Sequence, residues 1–197
     1  MKYIQLINNS SSPIFTLQDL RRQGLKVYPY QLSRWVDQGY LSKLKNGIYL
    51  IDNKKEEVTK EHIAFKLYQP SYLSLEWALS EYGLIPEAVY QCVSVTAKPT
   101  REFSNDMGLF VYRHLKKELF FGYQKKEKNG LPYLIAEPEK ALLDYIYLNS
   151  AKIKDEKDVG ELRLNPDTLE ELDRKKTEKY AGIAGRRTQD ILNMIFS

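Results

Sequence analysis

Pro29-Tyr30-Gln31-Leu32-Ser33-Arg34-Trp35-Val36-Asp37-Gln38-Gly39 runs directly into Tyr40-Leu41-Ser42-Lys43-Leu44-Lys45-Asn46-Gly47-Ile48-Tyr49-Leu50-Ile51, and this junction decides the fold. Proline suits a first helical turn, because its missing N–H would be unpaired there anyway and its φ is already helical. Leu32, Trp35 and Val36 recur at i, i+3 and i+4, the signature of one buried face, and Gly39 stops the helix. The opposite face carries Tyr30, Ser33, Arg34, Asp37 and Gln38. The two β-prone runs that follow are joined by Asn46-Gly47, which predicts a hairpin with a type I′ turn and positive φ at both central residues. A helix followed at once by a short hairpin reads as the second helix and the wing of a winged helix-turn-helix, with Lys43 and Lys45 on one face of the first strand near the tip.

Working toward the N-terminus, Thr16 followed by Asp19 three residues later is the acidic form of a capping box. It opens a short helix with Leu17 and Leu20 on its apolar side and Gly24 at its end. Ile14-Phe15 is a brief extended piece, Ser10-Ser11-Ser12-Pro13 is a break, and Met1 to Asn8 reads as a further short helix. The net charge of the whole chain is +4. Through Asp52, seven cations (Lys2, Arg21, Arg22, Lys26, Arg34, Lys43, Lys45) face three carboxylates (Asp19, Asp37, Asp52), so the entire excess lies in this head. A compact basic head on a neutral body is the electrostatic footprint of nucleic-acid binding. Tyr30, Gln31, Ser33, Arg34 and Gln38 are expected to face bases or nearby backbone, and Arg22, Lys43, Lys45 and Asn46 to position the head on phosphates. The competing readings are a winged helix used only for protein docking, and Tyr28 and Tyr30 packed against the preceding strand with their hydroxyls in water.

Working toward the C-terminus, Asp52 to Glu57 is polar and reads as a linker, which divides the 197 residues into a head over 1–53 and a body over 54–197. Thr59 caps a helix through Tyr68, and Ser74 caps another that carries Leu75, Trp77, Ala78 and Leu79, with Gly83 in the left-handed position at its end. Val89–Thr96, Leu109–Leu115, Leu119–Lys126 and Leu131–Ala136 are β-prone, with Asn129-Gly130 turning the last pair. Pro138 opens a helix through Leu148 whose Ala141, Leu142, Tyr145 and Ile146 can pack on the sheet. Two more helices are predicted at Pro166–Tyr180 and Arg186–Phe196. The fold class is α+β, a winged head followed by a mainly antiparallel sheet with flanking helices.

The chain resembles the AbiEi-type antitoxins, transcriptional regulators of type IV toxin–antitoxin (abortive infection) systems. In the head the resemblance rests on Leu32-Ser33-Arg34-Trp35-Val36, Gly39-Tyr40-Leu41 and Lys45-Asn46-Gly47-Ile48-Tyr49. In the body it rests on Tyr72-Leu73-Ser74-Leu75-Glu76-Trp77-Ala78-Leu79, Tyr82-Gly83-Leu84-Ile85-Pro86, Pro99-Thr100-Arg101, Phe120-Phe121-Gly122-Tyr123 and Ile135-Ala136-Glu137-Pro138-Glu139-Lys140-Ala141-Leu142-Leu143-Asp144, so it spans roughly residues 12–150. The resemblance implies a repressor that binds inverted repeats in its own promoter and opposes a nucleotidyltransferase-like toxin; its oligomeric state on DNA, where a dimer is one option, is left open, and the alternative is a protein-interaction antitoxin that binds the toxin directly without a main DNA role.

Other chemistries find less support. Cys92 lies in an apolar run, His62 and His114 are far apart, and no phosphate-cradling G-x-x-x-x-G-K-[ST] run occurs, so no enzyme, cofactor or metal is expected. Glu137, Glu139 and Asp144 form the best carboxylate group and carry the least favoured alternative, a metal-dependent nuclease. On a helix Glu137 and Asp144 would share a face and Glu139 would point elsewhere. Pro99-Thr100-Arg101 is a weak anion contact, and Arg186-Arg187 is expected to be simply exposed. Neither a membrane span nor a signal peptide is read, and a cytoplasmic location is expected.

Overall fold

The computed structural model describes residues 2–197, and its first third is α1 (Tyr3–Asn9), β1 (Ile14–Thr16), α2 (Leu17–Arg22), α3 (Pro29–Asp37), β2 (Leu41–Lys45) and β3 (Ile48–Ile51). Met1, the first residue of the predicted first helix, lies outside the described residues. Thr16 caps α2 as expected: its Oγ1 accepts the Asp19 N–H at 3.0 Å, and Asp19 Oδ2 accepts the Thr16 N–H at 2.9 Å. Two donors that the first turn leaves unpaired are thereby satisfied. The Tyr3 ring stacks on Tyr40 at 4.7 Å and its hydroxyl donates to the Tyr40 carbonyl at 2.9 Å, fastening α1 to the corner between α3 and β2.

The three strands form an antiparallel sheet in the order β1-β3-β2, and its two faces feed different cores. Phe15, Leu41 and Ile51 pack with Leu6, Leu20, Val27, Leu32 and Trp35 beneath the helices. Ile14, Leu44, Ile48 and Leu50 pack instead into the core of the body. Period-two alternation along a strand delivers this split. The sheet is therefore a layer common to head and body, and Asp52–Glu57, read as a linker, is a 3-10 helix tied back by Ser42 Oγ donating to Asp52 Oδ1 at 2.6 Å.

The wing departs from the predicted turn. Gly47 has φ +83° but Asn46 is not left-handed, and the β2–β3 register shifts at a bulge between Lys43 and Lys45. An extra residue on one strand interrupts the alternation, so Lys45 leaves the face it was expected to share with Lys43. The Asn129-Gly130 turn meets the expectation, with φ of +53° and +73°.

The body contains α4 (Lys60–Leu67), β4 (Ser71–Leu73), α5 (Leu75–Glu81), β5 (Cys92–Thr96), β6 (Arg101–Asn105), β7 (Gly108–His114), β8 (Tyr123–Lys128), β9 (Leu131–Ala136) and α6 (Pro138–Asn149). These strands form one sheet, ordered β6-β7-β5-β4-β9-β8; β4–β5, β6–β7 and β8–β9 are antiparallel, while β5–β7 and β4–β9 are parallel. Cys92, Tyr112 and Tyr133 face α4, and α5 and α6 cover the other side. The expected Val89 and Leu119 strand starts are replaced by Cys92 and Tyr123, because Val89–Gln91 is irregular and Lys117–Leu119 is a 3-10 turn.

The tail folds as α7 (Glu156–Glu161), α8 (Pro166–Glu170), α9 (Arg174–Ala184) and α10 (Arg186–Phe196), with α9 and α10 packed on α6. The single helix predicted over Pro166–Tyr180 is broken where Asp173 caps a new one, its carboxylate accepting the Lys176 N–H at 3.1 Å. Arg187 is exposed as expected, yet its guanidinium also bonds the Ile153 carbonyl.

Candidate nucleic-acid interface

Burying Leu32 and Trp35 turns the other side of α3 outward, and Ser33, Arg34, Asp37 and Gln38 are all exposed there. Tyr30, at the start of the helix, is 70% exposed. Gln31 differs from the expectation: it is half-buried and its Oε1 accepts the Tyr28 N–H at 3.1 Å, so this amide oxygen caps the helix that it was expected to read from.

Two residues outside the expected set join this surface. Tyr28 stacks on Tyr30 with ring centroids 5.8 Å apart, and the Lys26 ammonium stands 5.5 Å from the Tyr28 ring. Residues 25–28 form no regular element, so there is no strand for these rings to pack against. The sequence signal was the alternation in Lys26-Val27-Tyr28, where only Val27 is buried. A cation over a stacked, exposed aromatic pair offers both charge and flat apolar area beside α3.

The phosphate-positioning set divides. Lys43 and Asn46 are exposed on the wing, and Arg22 is exposed at the end of α2, in a groove that it lines with Ser11, Ser12 and Lys66. Lys45 is turned by the bulge toward the body, where its ammonium bonds the Leu67 carbonyl and stands 4.9 Å from the Phe103 ring. The paired lysine face of the wing is thus reduced to Lys43.

The carboxylates of α6 also separate differently from the reading of the helix face. Glu137 and Glu139, not Glu137 and Asp144, are brought together: both hold the Lys176 ammonium, at 3.1 and 3.0 Å. Asp144 lies in the interior, 1% exposed, bonded by Lys140, by the Tyr72 hydroxyl at 3.0 Å and by the Ser74 hydroxyl at 2.8 Å. Burial holds Lys140 below its ordinary value and Asp144 above its own, each opposed by the charge of the other. Fully enclosed and mutually satisfied, these four side chains tie β4 to α6. His62 is likewise internal: Thr59 N–H donates to its Nδ1 at 3.0 Å, and burial pushes its pKa down. No group of three His, Cys, Asp or Glu side chains suited to a metal ion occurs among the described residues. Among the described residues no helix is long and apolar enough to cross a membrane.

Residues 2–51 match the profile of a family described as transcriptional regulator, AbiEi antitoxin. The matched span begins at the residue before α1 and ends with β3, so it coincides with the winged head. No curated protein matches the chain.

Proposed function

We propose, from the match of residues 2–51 to a family described as transcriptional regulator, AbiEi antitoxin, that the protein represses its own operon by binding promoter inverted repeats as a dimer and opposes a nucleotidyltransferase-like toxin in the cytoplasm. The observation that carries this reading is the exposed face of α3 with Arg34 at its centre, flanked by the wing lysine Lys43 and the Lys26-Tyr28-Tyr30 stack. A guanidinium on a recognition helix can pair with a guanine edge, while lysines beside it carry register but little sequence information. Tyr30, Ser33, Arg34 and Gln38 are assigned to the bases and nearby backbone, and Arg22, Lys26, Lys43 and Asn46 to phosphates. The division of labour follows the chain: residues 1–53 bind DNA, and residues 54–197 carry the antitoxin role.

A reporter driven by the chain's own upstream region tests the assignment. The wild type is expected to silence it and Arg34→Ala to release it, while both still protect cells that express the neighbouring toxin. Silencing that survives Arg34→Ala would remove Arg34 from the DNA contact, and protection from the toxin without any silencing by the wild type would favour an antitoxin that works by binding protein alone.

A further inference from the structure

A groove of about 620 Å³ runs along the outer side of the tail, between α9 and α10. The two helices are antiparallel. The Arg174 guanidinium lies 4.0 Å from the Phe196 ring and donates to the Phe196 carbonyl at 3.4 Å, which joins the start of α9 to the end of α10. Near the turn at Gly185, the Gln189 amide stands beside Gly182. Each helix is 11 residues long, so the groove extends for about 16 Å, or about three helical turns. The body takes the other side of this hairpin: Lys176 and Tyr180 reach Glu137, and Ile191 is fully buried. Buried Thr177, Ala181 and Leu192 make the floor of the groove.

Its rim carries four exposed charges, Arg174 and Glu178 from α9 and Arg186 and Asp190 from α10. Among the described residues none of the four forms an ion pair. Their order does nothing for the helices themselves. Arg174 and Arg186 stand at the first positions of α9 and α10, where the helix dipole disfavours a cation, and neither first turn has an acidic residue. Within each helix the arginine precedes the carboxylate by four residues, the less favourable direction for such a pair. Because the helices run antiparallel, the rim reads cation, carboxylate, carboxylate, cation along the groove, with the carboxylates nearest its centre. Two copies set face to face about a two-fold axis would press these carboxylates against their equivalents, so the pattern opposes self-association through this face.

We propose that the α9–α10 groove docks an amphipathic helix of a partner protein, one whose seated face carries lysine or arginine at its centre and aspartate or glutamate about one and a half turns to either side. Small apolar residues of that helix lie on Thr177, Ala181 and Leu192, its central cations meet Glu178 and Asp190, and its outer carboxylates meet Arg174 and Arg186. Such a helix gives all four rim charges a partner, whereas a simple anion or a polyamine satisfies only the arginines or only the carboxylates. The groove lies outside residues 2–51, and the proposal is independent of the DNA reading of the head.

Two fluorescein-labelled helical peptides built on alanine and leucine are the probes, one with central lysines and outer glutamates, the other with these charges exchanged. Anisotropy titrations compare the full chain with Glu178→Lys/Asp190→Lys, both exposed positions, and with the milder Glu178→Gln/Asp190→Asn in case the reversal disturbs packing. The wild type is expected to prefer the first peptide by about tenfold, the combined worth of several partly exposed ion pairs. The reversed variant is expected to lose this preference and the neutral variant to reduce it. A wild type that fails to discriminate the peptides, or a preference that both variants keep, overturns the site. Sedimentation of the wild type alone supplies the remaining outcome: a dimer that the reversed variant breaks would make a second copy the occupant and overturn the partner helix.

Discussion

Arg34 is exposed in the last turn of α3, and neighbouring Ser33 leaves room around it. Its replacement by alanine is expected to weaken binding to the upstream duplex by about 1–3 kcal/mol, the worth of one good base contact. Anisotropy at fixed salt checks this, and wild-type affinity in the variant would remove Arg34 from the interface. His62 sets a different kind of residue-scale behaviour. With its Nδ1 accepting the Thr59 N–H, the folded protein holds it neutral, and burial puts its pKa below the ordinary value of 6.5. The unfolded chain therefore takes up the proton more readily. The stabilisation from His62 is full above about pH 6.5 and is lost as pH falls through that value toward the lower folded pKa. Urea titrations between pH 7.5 and 5 are expected to show this loss for the wild type and a shallower one for His62→Gln, whose amide can still accept from Thr59. Parallel profiles would place the acid sensitivity elsewhere, with the neighbouring Glu61–Lys128 pair the next group to examine.

At the scale of elements, glycines separate turn geometry from packing. Gly122 has φ +69°, and a Cβ there would meet Lys140 Cγ at 3.0 Å, whereas Gly130 has φ +73° and nothing within 4 Å. Gly130→Ala is expected to cost about 1–2 kcal/mol for the left-handed backbone alone, and Gly122→Ala about 1–3 kcal/mol more for displacing a buried lysine. Equal losses in urea would mean that Lys140 yields freely. The elements that could be read from the sequence were those with local punctuation: the Thr16–Asp19 box, Pro29 at the head of α3, Pro138 at the head of α6 and the Asn129-Gly130 hairpin. What was missed depended on distant partners. Strand β4 is three residues long and is defined by its neighbours β5 and β9, and β6 is a charged edge strand whose polar sequence lacks an apolar alternation. The bulge that turns Lys45 inward leaves no composition signal, because Asn-Gly is compatible with more than one hairpin. Glu139, Lys140 and Asp144 are polar residues of α6 that are buried by distant partners: Lys140 and Asp144 meet Tyr72 and Ser74 beside the sheet, and Glu139 meets Lys176 of α9.

For the whole molecule, the three-stranded sheet of the head is the decisive layer. Leu50, fully buried, packs with the body core from the strand that also gives Ile51 to the head core. Head and body are therefore expected to melt together. Leu50→Ala should cost about 2–5 kcal/mol and lower one calorimetric transition rather than split it. Two separate transitions in the wild type would show the layer to be a weak contact. The same arrangement gives the exposed face of α3 a packed support, and the matched family profile covers this supported head. The central measurement is the affinity of the purified protein for its own upstream duplex against a scrambled duplex of equal length, by fluorescence anisotropy at two salt concentrations. Preference for the upstream duplex, lost in Arg34→Ala and weakening with salt by a slope that Lys43→Ala flattens by about 0.9, is the predicted result. Equal, weak binding to both duplexes, unaltered by either substitution, would contradict the account.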